Sequence, residues 1–169
     1  VVVVPNLIKL EQYSQLGDYL VEDLGYTRGK DFFEFAYDWR QDIRLTAKQL
    51  SQFIDALPVK PVKLVAHSLG TLVSRYYVER LGGKEKVDKL ILMGGPHLGT
   101  PAAVSSLLFG PDVLPFGLMG ETLRKVISTF YTSYQILPVY ACGMDQFGQP
   151  YNFMKDDGWL APEQKPLWQ

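Results

Sequence analysis

Ser68 is the residue of this chain whose surroundings most clearly point to chemistry. It stands in Ala66-His67-Ser68-Leu69-Gly70, between two small residues two positions away on either side. A short apolar run of Val62, Leu64, Val65 and Ala66 leads up to it. Leu69, Leu72, Val73 and Tyr76 follow at helical spacing. A serine on such a strand-to-helix junction has the form of a nucleophile elbow, whose tight turn pushes the hydroxyl out at the top of a sheet. The chemistry is attack on an ester carbonyl to form an acyl-enzyme. The Leu69 N–H is placed to donate to the oxyanion, and the N-terminus of the following helix favours the developing negative charge. The usual pattern has glycine first; here Ala66 takes that place, a mild departure. The bland alternative is an ordinary strand-to-helix turn with a capping serine.

A serine hydroxyl stays protonated at neutral pH unless a base takes its proton. The chain has two histidines, His67 and His97. His67 adjoins the serine, and successive strand-end residues point apart, which makes it a poor base. His97 lies in the next glycine-rich loop, either as a base or as a loop residue shaping the pocket. Asp145, Asp156 and Asp157 qualify as acids by position alone, and turn aspartates are common. Asp38 and Trp39 are further pocket candidates. Asp38 and Arg40, two apart, also read as an ion pair holding a loop. This chemistry needs no metal and no organic cofactor, and none is expected.

The elements that must position these residues alternate. The spacing predicts a helix over 11–24, stopped by Gly25, and a strand over 32–37. It predicts a clear helix over 41–57, ended by Pro58 and Pro61. A strand runs into Ser68, a helix from there to about Leu81, and a strand over 87–93. Strands alternating with helices imply an α/β fold with a mostly parallel sheet. Reactive residues then gather at the carboxyl ends of the strands. Ser68 sits at one such end, and the loop Gly94 to Pro101 at the next. Beyond Pro101 the alternation breaks. The apolar segment from Leu107 to Met119 is interrupted by glycine and proline, and reads either as a lid or membrane-touching surface or as core. A short helix is expected over 120–130, and mostly loop from Ile136 onward.

Composition sets limits. Hydrophobic residues make up 47% and charged residues 21%, the balance of a globular chain rather than a disordered one. The net charge is −1 and basic blocks are absent, which argues against a nucleic-acid partner. The single cysteine, Cys142, excludes an intramolecular disulfide and leaves the compartment open.

Several segments together resemble the lecithin–cholesterol acyltransferase family of α/β-hydrolases. They are Phe35-Ala36-Tyr37-Asp38-Trp39-Arg40, the elbow 66–70, the loop Gly95-Pro96-His97-Leu98-Gly99-Thr100-Pro101, and Ser133-Tyr134-Gln135-Ile136-Leu137-Pro138. The resemblance implies an α/β-hydrolase domain with a mostly parallel sheet flanked by helices, expected here to be incomplete at both ends. Residues 1–100 would form the sheet-and-helix core, 101–130 a lid or cap segment, and 131–169 a loop-rich part. It implies serine-dependent acyl transfer from lipid esters to water or to an alcohol, and contact with a membrane or lipoprotein surface. It also implies that the triad acid and base lie beyond the matched region. His97 then becomes a pocket-shaping residue. The rivals are a generic serine esterase or lipase, and a non-catalytic remnant that binds lipid or a partner.

Overall fold

The computed structural model describes residues 2–4, 8–9, 14–111, 120–155 and 157–168. They divide into two compact units, 1–36 and 37–169.

In the first unit, strands β1 (Val2–Val4) and β2 (Ile8–Lys9) pair antiparallel, and helix α1 spans Ser14–Glu22. Of the helix predicted over 11–24, residues 11–13 lie outside the described residues. Arg28 ties the unit together, pairing with Asp18 at 3.3 Å and Glu34 at 2.5 Å and lying over the Phe32 ring. The strand expected over 32–37 is not formed. Phe32 makes only an isolated bridge to Arg28. Aromatic and apolar residues supply strand propensity, but a strand exists only where a ladder partner lies beside it.

The second unit holds the sheet. Strand β3 (Val62–His67) and strand β4 (Val87–Met93) run parallel, with Ala66 opposite Leu92 and His67 opposite Met93. Among the described residues this parallel sheet has two strands, smaller than the alternation of elements suggests. Helix α2 (Ile43–Ala56) begins at Asp42, whose carboxylate accepts the Arg44 N–H, and buries Ala47, Leu50 and Ile54 as its spacing requires. Helix α3 (Leu69–Arg80) packs between α2 and the strands. Its buried face meets the predicted one only at Val73. Thr71, Val73, Ser74 and Tyr77 are buried, whereas Leu72 and Tyr76 are half-exposed. A helix with neighbours on two sides favours small residues where the backbones approach. Thr71 meets its own hydroxyl's need by donating to the Ser68 carbonyl at 2.6 Å.

A second core follows Pro101. Helix α4 (Pro101–Phe109), which the apolar pattern did not reveal, is capped by the Thr100 hydroxyl and carries proline at its first turn. Helix α5 is Gly120–Ile127 and α6 is Tyr131–Gln135. Strands β5 (Gly143–Met144) and β6 (Pro150–Tyr151) form a small hairpin, and α7 is Lys165–Trp168. Ala103, Val104, Leu107, Tyr134, Leu137 and Leu160 form one buried cluster here. The buried Gln164 amide donates to the Leu107 carbonyl and the Ser128 hydroxyl. The 107–119 segment therefore divides: Leu107 is core, Phe109 is 73% exposed, and 112–119 lie outside the described residues.

Candidate active site

Ser68 is the one described non-glycine residue with positive φ, at φ 51° and ψ −123°. That backbone is strained for an L-residue and persists only where its surroundings enforce it. The enforcement is visible. On one side, the Ser68 N–H donates to the Met93 carbonyl at 2.9 Å, which anchors the turn to the end of β4. On the other, the Ser68 carbonyl accepts from the Thr71 N–H at 3.0 Å and the Thr71 hydroxyl. The Ser68 side chain makes no capping bond to α3 and is exposed. The capping-serine alternative therefore does not describe it.

Ala66 is buried two residues before Ser68. A Cβ built on Gly70 would meet the Tyr37 hydroxyl at 3.5 Å and the Ala66 Cβ at 3.8 Å, which is ordinary contact. The elbow thus has room for one methyl on each side, and this is why alanine serves where the pattern has glycine. Leu69, at the first position of α3, has no acceptor for its N–H inside the helix. That N–H is available at the helix end where an anion is favoured.

Ser68 and Leu69 open onto a cleft of about 320 Å³. Trp39 forms one wall and stacks edge-on against Phe130 at 5.3 Å. Gly94, Pro96 and Thr100 come from the loop after β4, and Thr132, Ser133 and Ile136 from α6 and its end. Loop and α6 are locked together. Thr100 N–H donates to the Ile136 carbonyl at 2.8 Å, and Val139 N–H to the Leu98 carbonyl at 3.0 Å. Gly99 permits this close approach, and Gly95 permits that of the same loop to α3. A Cβ on Gly95 would overlap the Thr71 side chain, and one on Gly99 would overlap the Leu137 carbonyl.

The structure brings Trp39, Ser68 and Leu69 together and leaves the other expected residues outside the cleft. Asp38 is held by Arg40, whose Nε and Nη2 donate to its two carboxylate oxygens at 2.7 and 2.8 Å. These bonds first, then the Arg40 backbone N–H, hold its carboxyl well below the usual carboxylate range. Asp38 is a loop brace, the loop-holding ion pair with Arg40 that their spacing allowed. His67 is exposed at the end of β3. His97 faces a separate groove with Leu72, Tyr76 and Gln135. Asp145 orders the hairpin turn by accepting the Phe147 and Gln149 N–H groups, and Asp157 pairs with Lys165 at 3.2 Å. Asp156 lies outside the described residues. None of the described residues lining the cleft is titratable. Among the described residues no group of three acidic, histidine or cysteine side chains could hold a metal ion. No described helix is long and apolar enough to cross a membrane.

One pair that the residue pattern did not reveal holds the cleft wall. The half-buried Gln135 amide accepts the Ile43 N–H at 2.9 Å and donates to Asp42 at 2.9 Å. The Asp42 carboxyl is lowered to about 2, by the Arg44 hydrogen bond first, with Gln135 adding and partial burial opposing. The only signal for it in the residues was the 133–138 segment, of which Gln135 is part.

The family model of lecithin:cholesterol acyltransferase matches residues 6–163. The chain is 31% identical over 136 residues to lysosomal phospholipase A and acyltransferase of Homo sapiens, covering 69% of this chain and 33% of that protein. It is 32% identical over 114 residues to the protein of the same name from Bos taurus, covering 59% and 28%. It is 29% identical over 92 residues to lecithin-cholesterol acyltransferase-like 4 of Arabidopsis thaliana, covering 50% and 17%. The chain spans about a third of the length of the mammalian relatives it matches. No solved structure matches. A family match over nearly the whole chain shows that the chain belongs to the lecithin:cholesterol acyltransferase family.

Proposed function

We propose that this chain carries the nucleophile of a lipid acyl hydrolase or O-acyltransferase built on an α/β-hydrolase domain. The observation that carries the reading is the positive φ of Ser68 at the mouth of the cleft. Strain at one serine, placed between a strand end and a helix N-terminus, suits a hydroxyl that must stand clear of its own backbone.

In this reading a base takes the Ser68 Oγ proton as Oγ attacks the ester carbonyl carbon. The carbonyl oxygen becomes an oxyanion facing the Leu69 N–H. The tetrahedral species collapses, the alcohol portion leaves with a proton, and the acyl chain stays on Ser68. Water then yields a fatty acid, or an alcohol yields a new ester. Trp39, Pro96 and Ile136 supply an apolar wall suited to an acyl chain. Base and acid come from parts of the native polypeptide other than the described cleft lining. Residues 1–100 act as the sheet-and-helix core with the elbow, 101–130 as a lid or cap segment, and 131–169 as a loop-rich part. The relatives' names pair phospholipase and acyltransferase activities, so a lipid ester is the substrate class proposed here.

The test is covalent labelling of the native polypeptide with a fluorophosphonate, followed by peptide mapping. The label is expected on Ser68 and lost in Ser68→Ala. Labelling elsewhere, or none, overturns the reading. Product analysis with and without an added long-chain alcohol then separates hydrolysis from acyl transfer. Free fatty acid alone under both conditions sinks the transferase half.

A further inference from the structure

A second groove, of about 350 Å³, lies along the outer side of α3. Its lining carries three guanidinium groups, those of Arg44, Arg75 and Arg80, against one carboxylate, Glu79. Arg75 Nε pairs with Glu79 at 2.7 Å, and Arg44 pairs with Asp42 at 2.5 Å from outside the lining. Each guanidinium has five donors, so these pairs leave several unspent. The positive field registers on the groove's own carboxyl. Glu79 is held below its ordinary value by the Arg75 hydrogen bond first, with the charges of Arg75, Arg80 and Lys84 adding.

His97 supplies an independent observation. It lines the same groove, and its Nδ1 is buried with no hydrogen-bond partner among the described residues. A buried ring nitrogen without a partner costs free energy; Nδ1 is closed to the groove as the ring stands, so a ligand there removes that cost only if the imidazole turns. Planar guanidinium forks with an imidazole beside them match a tetrahedral oxyanion better than any neutral ligand.

We infer that this groove is a binding site for a phosphate group, held by Arg75, Arg80 and His97. The groove and the Ser68 cleft share walls. Pro96 faces the cleft and His97 the groove; Ile136 faces the cleft and Gln135 the groove. A phosphate carried by a lipid would thus sit behind the wall that holds its ester. That placement rests on the reading of Ser68 as nucleophile; the phosphate site itself does not.

The test uses the native polypeptide with ¹⁵N-labelled histidine, titrated with inorganic phosphate at constant ionic strength. A saturable shift of the His97 ring nitrogens is expected, with His67 unmoved as the internal control. In Arg75→Gln/Arg80→Gln, two exposed positions, the affinity is expected to fall at least tenfold. An unmoved His97, equal shifts at both histidines, or unchanged affinity in the double variant overturns the site. The second arm replaces phosphate with monomeric dihexanoyl phosphatidylglycerol. Tighter binding than inorganic phosphate assigns the site to a lipid headgroup, and weaker binding assigns it to the free anion. Fluorophosphonate labelling of the same samples keeps the two readings apart. A labelled Ser68 with an unmoved His97 sinks only the phosphate site, and the reverse sinks only the nucleophile.

Discussion

Gln135 and Asp42, 93 residues apart in the chain, are joined by a 2.9 Å hydrogen bond from the Gln135 amide to the Asp42 carboxylate. The same amide accepts the Ile43 N–H, one of the donors that the start of α2 leaves without a helical acceptor. One side chain therefore caps α2 and fixes α6, whose residues form a wall of the Ser68 cleft. Gln135→Ala leaves the backbone N–H of buried Ile43 without its acceptor, at a cost of about 1–3 kcal/mol. Urea unfolding should show this as a lower midpoint with an unchanged slope. A midpoint equal to that of the parent chain removes Gln135 from the architecture.

The Asp42 carboxyl links stability to pH. Its folded value is lowered from 3.8 to about 2, so the unfolded chain binds the proton more readily. The contribution is complete above about pH 5 and is lost as pH falls through about 2. The group is only partly buried, so solvent screening reduces it to about 1 kcal/mol. Thermal unfolding of the parent and of Asp42→Asn should differ at pH 6 and converge as pH falls towards 2. A difference that widens on acidification contradicts the assignment.

Ser68 separates backbone strain from side-chain chemistry. Glycine accepts positive φ without the Cβ clash, whereas alanine keeps it. Ser68→Gly should therefore be more stable than Ser68→Ala by about 1 kcal/mol, although both lack the hydroxyl. Calorimetry of the two variants side by side measures this directly. If alanine is the more stable, the elbow backbone is not strained.

Two glycines should respond in opposite ways to the same change. Gly70→Ala meets only ordinary contacts, at 3.5 Å to the Tyr37 hydroxyl and 3.8 Å to the Ala66 Cβ. It should change stability by less than about 1 kcal/mol. Gly99 sits at φ +82°, and a methyl there runs into the Leu137 carbonyl. Gly99→Ala should cost more than about 2 kcal/mol and pull the 94–100 loop away from α6. Comparing their unfolding midpoints, with Trp39 fluorescence as a report on the cleft, distinguishes the two.

The residues by themselves determined the local events. Val62 to Met93 reads as strand, helix, strand because period-two and period-3.6 patterns follow one another there, and the observed bounds agree. The elbow was legible because small residues flank a serine where one pattern gives way to the other. Helix α4 was not legible. All nine of its residues are apolar or small, so no face stands out, and its start depends on Thr100 and Pro101. Tertiary structure alone decided which side chains meet. It turned the buried face of α3 towards Thr71 and Ser74, left 32–37 without a named strand, and moved His97 away from Ser68 into another groove. Propensity and periodicity act over a few residues, whereas ladders, clefts and the Asp42–Gln135 bond require segments far apart in the chain to be brought together. A local pattern specifies which way a side chain leaves its own element; what it meets is set by the packing of the others.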